Sequence, residues 1–263
     1  MILQKNLRKM TKVKWIIGLM IFVGSILNVN AQNITDKQGR KQGAWQKTYP
    51  KSKALEYKGT FKDNKPVGVF TYFYPSTKVK AVIRHSETTN QSEAFFYHDN
   101  GELMTYGIYQ NLKKDSVWLN FGPTGRISYK ESYKNDILDG LKTIYFISED
   151  INNKSSKISS MLNYKNGQLD GEFRELFDFG GKKIVGQYKE DEKVGIWEEF
   201  HPNGQKQALT RYKNGVRHGW CFAYNEAGKE VNKVYYFNGK RTEGKDLEFL
   251  FKQMKAKGVN PNE

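Results

Sequence analysis

The chain has 263 residues, of which 38% are hydrophobic and 14% aromatic, and it carries a formal net charge of +15 at pH 7. A chain with many aromatic residues but few leucines and alanines is more typical of many short strands than of a helical bundle. The single cysteine, Cys221, excludes an intramolecular disulfide and a cluster of thiolate metal ligands within this chain.

A basic and then apolar segment opens the chain. Five Lys or Arg residues precede an apolar run from Trp15 to Val29, and Ala31 follows at a position suited to cleavage. This order is that of a cleaved secretory signal peptide over residues 1–31, and the run is shorter than the roughly 20 apolar residues of a spanning helix. An uncleaved membrane anchor is the alternative. We therefore expect an exported protein that is periplasmic, envelope-associated or secreted.

A repeat follows the lead-in of residues 32–42. Small residues recur at anchor positions that are mostly 24 residues apart, namely Gly43, Gly68, Ser92, Ser116, Gly140, Gly171, Gly195, Gly219 and Gly244. The one long step, of 31 residues, contains a polar stretch that indicates a loop insertion over residues 148–160. The spacing predicts about eight copies of one unit over residues 43–244.

Three further columns support this register. Seven residues before the anchors the column is aromatic except at His85, with Phe61, Tyr109, Tyr133, Tyr164, Tyr188, Tyr212 and Phe237. Nine residues after the anchors stand Gly101, Gly125, Gly180, Gly204 and Gly228. Two residues after the anchors stand Trp45, Phe70, Trp118 and Trp197. Five residues after the anchors stand Phe73, Tyr97, Phe121, Tyr145, Phe200 and Tyr224.

Asn-Gly pairs mark the turns of each unit. They are Asn100-Gly101, Asn166-Gly167, Asn203-Gly204, Asn214-Gly215 and Asn238-Gly239, and they fall at two places in the unit. Such pairs favour type I′ turns, in which both central residues have positive φ. Each unit is therefore predicted to hold two short strands and two tight turns. The fold class is all-β, an elongated antiparallel meander of roughly sixteen strands in which each unit stacks its aromatic residues on the next.

One feature of the unit leaves two alternatives open. The aromatic residues two and five after the anchor are an odd number of residues apart, so strict alternation would place them on opposite faces of the sheet. Either a bulge brings both onto one face, or both faces are covered.

The pattern changes after Gly244. Leu247, Leu250, Phe251 and Met254 recur at helical spacing, and Gly258 follows the last lysines. This predicts a short amphipathic helix and tail over residues 245–263 that caps the last repeat. A helix that lies on a membrane surface is the alternative.

The residues of one copy carry a resemblance to a known family. Gly195, Trp197, Phe200, Asn203, Gly204, Tyr212, Asn214, Gly215 and Gly219 form a unit that resembles the MORN repeat, in the longer variant found in bacterial proteins of the YwqK-type antitoxin family. The resemblance covers residues 43–244. It implies a scaffolding, membrane-associating or partner-binding module, and the family name adds an antitoxin-like neutraliser of a partner protein.

No arrangement of polar residues indicates an enzyme. The histidines His85, His98, His201 and His218 show no metal-ligand spacing, so we expect no metal or other cofactor. His98 and His201 precede turns and are predicted to be solvated. Cys221 stands in an aromatic column and is predicted to be a small buried core residue, and the neighbours Glu198 and Glu199 are predicted to point to opposite faces.

Basic residues interleave with tyrosines on the predicted strands. Cleavage after residue 31 would remove five Lys or Arg residues and no Asp or Glu, which would leave a formal charge of +10. The candidate interaction surface is Lys130, Lys134, Arg211, Lys213 and Arg217. Export disfavours nucleic acid as the partner. We expect a non-catalytic scaffold or protein-interaction module, with binding of anionic lipid or polysaccharide in the cell envelope as the alternative and an antitoxin-like role as a third.

Overall fold

The structure is a computed structural model, and it describes residues 33–147 and 156–262. The predicted signal peptide, residues 1–31, lies outside the described residues. Within the described residues, no helix has the length and apolar character needed to cross a membrane.

The described residues form twenty strands followed by one helix. The elements are β1 (Ile34–Thr35), β2 (Lys41–Thr48), β3 (Leu55–Lys62), β4 (Lys65–Phe73), β5 (Val79–His85), β6 (Gln91–Tyr97), β7 (Leu103–Gln110), β8 (Lys113–Phe121), β9 (Ile127–Lys134), β10 (Ile137–Leu138), β11 (Gly140–Tyr145), β12 (Ile158–Lys165), β13 (Gln168–Leu176), β14 (Lys182–Lys189), β15 (Glu192–Phe200), β16 (Lys206–Lys213), β17 (Val216–Arg217), β18 (Gly219–Tyr224), β19 (Glu230–Phe237), β20 (Lys240–Thr242) and α1 (Gly244–Ala256).

The strands form one antiparallel meander, which confirms the predicted fold class. Each strand except β10 and β17 pairs with the next along the chain. The short strands β10 and β17 bring the count above sixteen, because β10 and β11 both pair with β9, and β17 and β18 both pair with β16. Among the described residues no pairing joins β1 or β2 to β19 or β20, so the sheet is open.

The two predicted kinds of turn differ in conformation. One edge of the sheet carries two-residue turns such as Asn214-Gly215, in which both residues have positive φ, at 49° and 75°. At the other edge the loop from His201 to Gly204 is longer, and of its residues only Gly204 has positive φ. Its glycine N–H donates to the His201 carbonyl at 2.9 Å. The prediction of type I′ turns was therefore wrong for Asn203-Gly204 and, for the same reason, for Asn100-Gly101.

The anchors are the sites of β-bulges. Between β14 and β15, Val185 pairs with Glu198 and Gln187 pairs with Val194, so β15 holds two more residues than β14 over this interval. The bulge turns at Gly195, whose φ of 68° lies in the left-handed region. Bulges that contain an anchor increase the local twist and leave part of the ladder unpaired.

The hairpin of β5 and β6 lacks this bulge. Its register is continuous from Ala81 opposite Phe96 to His85 opposite Ser92, and the anchor Ser92 does not have positive φ. Five residues, 86–90, connect its strands, whereas β14 and β15 are joined by two. In β5–β6 the additional residues lie in the connecting turn, whereas in β14–β15 they lie in the bulge. The repeat length is therefore the same in both hairpins.

The aromatic columns lie on opposite faces of the sheet, which decides between the two alternatives. The Trp197 ring contacts Phe173, Tyr188 and Tyr212, and we call this side the tryptophan face. Five residues after an anchor, Tyr224 stacks against Phe222 at 6.3 Å on the other side, which we call the opposite face. Both faces are covered by aromatic residues although bulges are also present.

The predicted insertion, residues 148–160, extends too far at its C-terminal end. Residues 148–155 lie outside the described residues, and β12 begins at Ile158. The last three residues of the predicted insertion, 158–160, therefore belong to a strand. Ile158 pairs with Tyr145, which places these residues in the sheet.

Helix α1 begins at Gly244, one residue before the predicted start, and ends at Ala256. It stands where β20 would otherwise continue along β19. Gly258, with φ of 63°, follows the helix, and the Val259 N–H donates to the Met254 carbonyl at 2.9 Å. These contacts close the C-terminus of the helix with a left-handed glycine.

Candidate interaction surface

On the tryptophan face, three of the rings that stand two residues after an anchor lie on a glycine of the preceding strand. Trp197 covers Gly186, Trp118 covers Gly107 and Phe70 covers Gly59, and a Cβ at any of these glycines would overlap the ring. The three glycines stand nine residues before an anchor. This glycine column was not predicted, although its recurrence at three anchors that are followed by such a ring could have revealed it.

The indole N–H groups replace hydrogen bonds that the bulges remove. Trp197 Nε1 donates to the Gln187 carbonyl and Trp118 Nε1 to the Ile108 carbonyl, each at 3.2 Å. In two bulges that have no tryptophan two residues after the anchor, a side chain of the preceding strand donates to the bulge instead. Asn163 Nδ2 donates to the Glu172 carbonyl at 2.7 Å, and Arg211 Nη1 donates to the Trp220 carbonyl at 2.6 Å. Buried backbone groups are thus satisfied in two ways.

Lysines cover the tryptophan face at every third repeat. Lys41, Lys114 and Lys193 stand two residues before their anchors, and their Nζ atoms lie 4.8, 4.7 and 4.1 Å from the ring centroids of the tryptophans four residues later. Each also lies over a second ring of the next strand. Cation–π contacts of this kind shield the rings from water. Together with the burial of Trp118 and Trp197, they make this face a core surface.

A polar cluster interrupts this face at the middle of the sheet. Glu131 is 8% exposed, accepts a hydrogen bond from Tyr133 Oη at 2.9 Å, and forms an ion pair with Lys142 at 2.8 Å. Burial, together with the hydrogen bond to the Glu131 carboxylate, raises the pKa of Tyr133 well above its usual range. A buried charge that has its partners satisfied is compatible with a folded core.

The turn histidines connect neighbouring repeats. The Nε2 atom of His98 lies 3.0 Å from the Phe121 carbonyl, and that of His201 lies 2.9 Å from the Tyr224 carbonyl. Both side chains are half-buried, so the prediction of solvated histidines was wrong. Tyr74 occupies the same repeat position and donates to the Tyr97 carbonyl at 2.7 Å. A ladder of side chains therefore holds the loops of successive repeats together.

The opposite face leaves apolar side chains exposed at the bulges. Val69, Val117 and Ile196 each follow an anchor directly, and they are 54%, 47% and 50% exposed. Beside Ile196 a groove of about 450 Å³ opens on this face. The groove is lined by Glu172, Val185, Gly186, Gln187, Gly195 and Ile196.

In the last repeat the same position is covered. Trp220 follows the anchor Gly219 as Ile196 follows Gly195, and its ring lies 6.1 Å from Phe251 of α1 in an edge-to-face contact. Tyr235, opposite Trp220 on β19, is 1% exposed. Helix α1 thus caps the opposite face at the C-terminal end of the sheet.

The five predicted surface residues fall into two separate groups. Lys130 and Lys134 lie on β9, while Arg211 and Lys213 lie on β16, six strand spacings or about 29 Å away. The Arg211 guanidinium donates a hydrogen bond to the Trp220 carbonyl in the bulge of β18. The fifth residue, Arg217 on β17, lies 5.2 Å over the Tyr236 ring, and hydrogen bonds from its guanidinium to Tyr212 and Tyr236 raise its pKa. The structure therefore does not bring the five into one patch.

The remaining polar candidates are explained by packing. Cys221 is half-buried, less than expected, and its Sγ lies 4.0 Å from the Gly219 carbonyl. His85 stacks edge-to-face on Phe70 at 5.5 Å. Glu198 forms an ion pair with Lys206 at 2.7 Å. In the described part of the chain, no three His, Cys, Asp or Glu side chains converge as metal ligands would.

Comparisons with known proteins identify one repeat. Residues 193–214, which include the bulge of β15 and all of β16, match the family model described as MORN repeat variant. No curated protein matches the chain at a significant level.

Two solved structures are similar to part of the chain. A mutant of S. aureus TarM, crystallised in complex with fondaparinux, α-GlcNAc-glycerol and UDP, is 16% identical, with a TM-score of 0.28; 39% of this chain and 19% of that chain are covered. A crystal structure of TarM is 18% identical, with a TM-score of 0.27; 41% of this chain and 20% of that chain are covered. The chain spans about a fifth of the length of both.

Proposed function

We propose that the chain is an exported, non-catalytic scaffold protein that binds a partner protein on its opposite face. The observation that carries the proposal is the set of exposed apolar side chains at three of the bulges, Val69, Val117 and Ile196. Apolar side chains that recur along one face of an extended sheet favour an interaction surface. The tryptophan face is less suited to this role because its rings are buried beneath lysines.

Three other observations support the proposal. The match of residues 193–214 to a MORN repeat variant agrees with a repeat module that has no catalytic centre. The inter-repeat ladder at His98 and His201 fixes the spacing between repeats, which gives a binding surface a defined shape. The basic N-terminal segment and the apolar run to Val29 support export.

The basic charge favours a second candidate function. The formal charge of +10 that remains without residues 1–31 attracts anionic lipid or polysaccharide in the cell envelope. Binding of this kind depends on electrostatics and weakens as salt screens the charges. An antitoxin-like role is a special case of the first candidate, in which the partner protein is a toxin.

A pull-down from an envelope extract separates these functions. The purified protein is immobilised, and bound protein, lipid and glycan are scored separately at low and at high salt. We expect one stoichiometric protein that survives high salt. Recovery of lipid or glycan only, and only at low salt, would contradict protein binding and support the second candidate.

A further inference from the structure

Helix α1 shows how this protein covers a bulge on its opposite face. The Phe251 ring lies 4.9 Å from Tyr235 and 6.1 Å from Trp220, with edge-to-face geometry in both contacts. Met254 is 6% exposed, and Tyr235 Oη lies 3.8 Å from its Sδ atom. An aromatic and a methionine side chain from one helix therefore anchor it on two rings of the sheet.

The residues after α1 complete this contact through the backbone. Tyr235 Oη donates to the Pro261 carbonyl at 2.7 Å, and the Trp220 N–H donates to Asn262 Oδ1 at 3.2 Å. Asn262 lies against Gly219, where a Cβ would be 3.0 Å from its Oδ1 atom. The bulge thus presents a backbone N–H to a bound segment, as well as an apolar side chain.

The bulge of the preceding repeat has the same construction without a cover. Ile196 replaces Trp220 after the anchor and is 50% exposed. Gln187 and Val185 line the groove beside it, and Ile196 pairs with Arg211 just as Trp220 pairs with Tyr235. The groove lies on the same face as α1 and in the neighbouring repeat, so it continues the surface to which α1 is bound.

From this continuity we infer that the groove beside Ile196 binds an amphipathic helix of the partner protein. Its apolar stripe carries aromatic and methionine side chains, as Phe251 and Met254 do in α1. Its polar side is acidic, because the chain that receives it has a formal charge of +10 once residues 1–31 are removed. Helix-in-groove recognition uses anchors at this spacing along one helix face. The inference rests on the proposed function and specifies the partner of that surface.

A peptide of residues 244–262 provides the probe. It is labelled and titrated into the full chain, with binding followed by fluorescence anisotropy, for the unmodified protein and for Ile196→Asp. Val231→Asp is the matched control, because Val231 is 61% exposed but lies outside the groove. We expect saturable binding whose dissociation constant rises at least about tenfold in Ile196→Asp and stays unchanged in Val231→Asp. Ile196→Ser provides a second variant if Ile196→Asp perturbs folding.

The charge of the occupant is tested with a second peptide. Lys245→Glu and Lys252→Glu in the same peptide make its outer surface acidic. We expect this peptide to bind more tightly than the first at low salt, with the gain lost as salt is raised. Equal affinity of the two peptides would overturn the assignment of an acidic surface.

Three results would overturn the inference. These are the absence of saturable binding, binding that Ile196→Asp leaves unchanged, and binding that is lost in Trp220→Ala instead, which would show exchange with α1. The pull-down distinguishes this failure from failure of the proposed function. If Ile196→Asp retains a partner protein as well as the unmodified protein does, the proposed protein binding stands and only the assignment of the groove is wrong. If lipid alone is recovered, the proposed protein binding itself is wrong.

Discussion

The β14–β15 and β5–β6 hairpins have the same repeat length but distribute their residues differently. In β14–β15 a two-residue turn is followed by a bulge at Gly195, with φ of 68°. In β5–β6 the loop holds five residues and the register runs on without a shift to Ser92. The left-handed conformation of the anchor therefore accompanies the bulge, because Ser92 does not adopt it where the additional residues lie in the turn.

The bulge also determines what the opposite face presents. After Gly195 the next side chain is Ile196, which is half exposed beside a groove. At the equivalent place in β5–β6, Glu93 lies 3.9 Å from Arg84 across the strands. The bulged hairpin presents an exposed isoleucine beside a groove, while the hairpin without a bulge presents an ion pair.

The largest effect is expected from filling the glycine beneath Trp197. Gly186→Ala places a Cβ inside the indole ring, so the ring must move and lose its hydrogen bond to Gln187. We expect β14–β15 to be destabilised by about 1 to 3 kcal/mol. Amide hydrogen exchange measures this locally, as faster exchange of β14 and β15. Gly122→Ala is the control, because a Cβ there makes only ordinary contacts, at 3.6 Å from Ser128 Oγ.

A smaller effect is expected at the anchor itself. Gly195→Ala forces a side chain into the left-handed region and should reduce the free energy of unfolding by about 1 to 2 kcal/mol. Gly195→Asn should cost less, because asparagine tolerates this conformation better. Urea unfolding of the two variants tests the order. Equal stability of Gly195→Ala and the unmodified protein would show that the bulge does not depend on this backbone conformation.

One substitution at two equivalent serines should act in opposite directions. Ser116 holds a bulge with φ of 59°, whereas Ser92 lies in the regular ladder and its Oγ is 2.8 Å from His85 Nδ1. Ser116→Gly should stabilise the protein by about 0.5 kcal/mol because it removes backbone strain. Ser92→Gly should destabilise it, through loss of the hydrogen bond and of strand propensity. Shifts of the same sign in the urea midpoint would contradict the comparison.

The smallest expected effect is a pH dependence centred on β5–β6. Burial lowers the pKa of His85, and burial also lowers that of His218, so the folded chain takes up these protons less readily than the unfolded chain. Stability is therefore full above the unfolded pKa, near 6.5, and is lost as pH falls below it towards the folded values. Urea midpoints from about pH 7.5 to about pH 5 should fall. His85→Phe should reduce the slope, and an unchanged slope would exclude His85 as a contributor.

Much of the fold could be predicted because its signals are periodic. The anchors and the aromatic column through Tyr188 and Tyr212 recur at nearly constant steps, so they indicate hairpins that stack one on the next. The helical spacing of Phe251 and Met254 likewise indicated a helix at the end of the sheet. Periodicity does not report the register between strands, so it could not decide whether the two aromatic columns lie on one face of the sheet or on both. Contacts such as that of Phe222 with Tyr224 place them on both faces.

The rest depended on contacts between repeats. A histidine before a turn gives no sign in sequence that its ring reaches the next repeat, as His201 reaches the Tyr224 carbonyl. The candidate surface was chosen by charge, and Arg211 was instead found bonded to the Trp220 carbonyl. The exposed side chains at the bulges were not predicted, because an isoleucine in a strand is expected to be buried. Only the bulge explains the exposure of Ile196.

Site-specific photo-crosslinking tests the central claim, that the bulged opposite face binds a protein. A photoreactive residue is placed at position 196 and, in a separate protein, at position 93, and both are irradiated in an envelope extract at high salt. We predict one protein crosslinked at position 196 and none at position 93. Equal crosslinking at both positions, or crosslinking only to lipid, would contradict the claim.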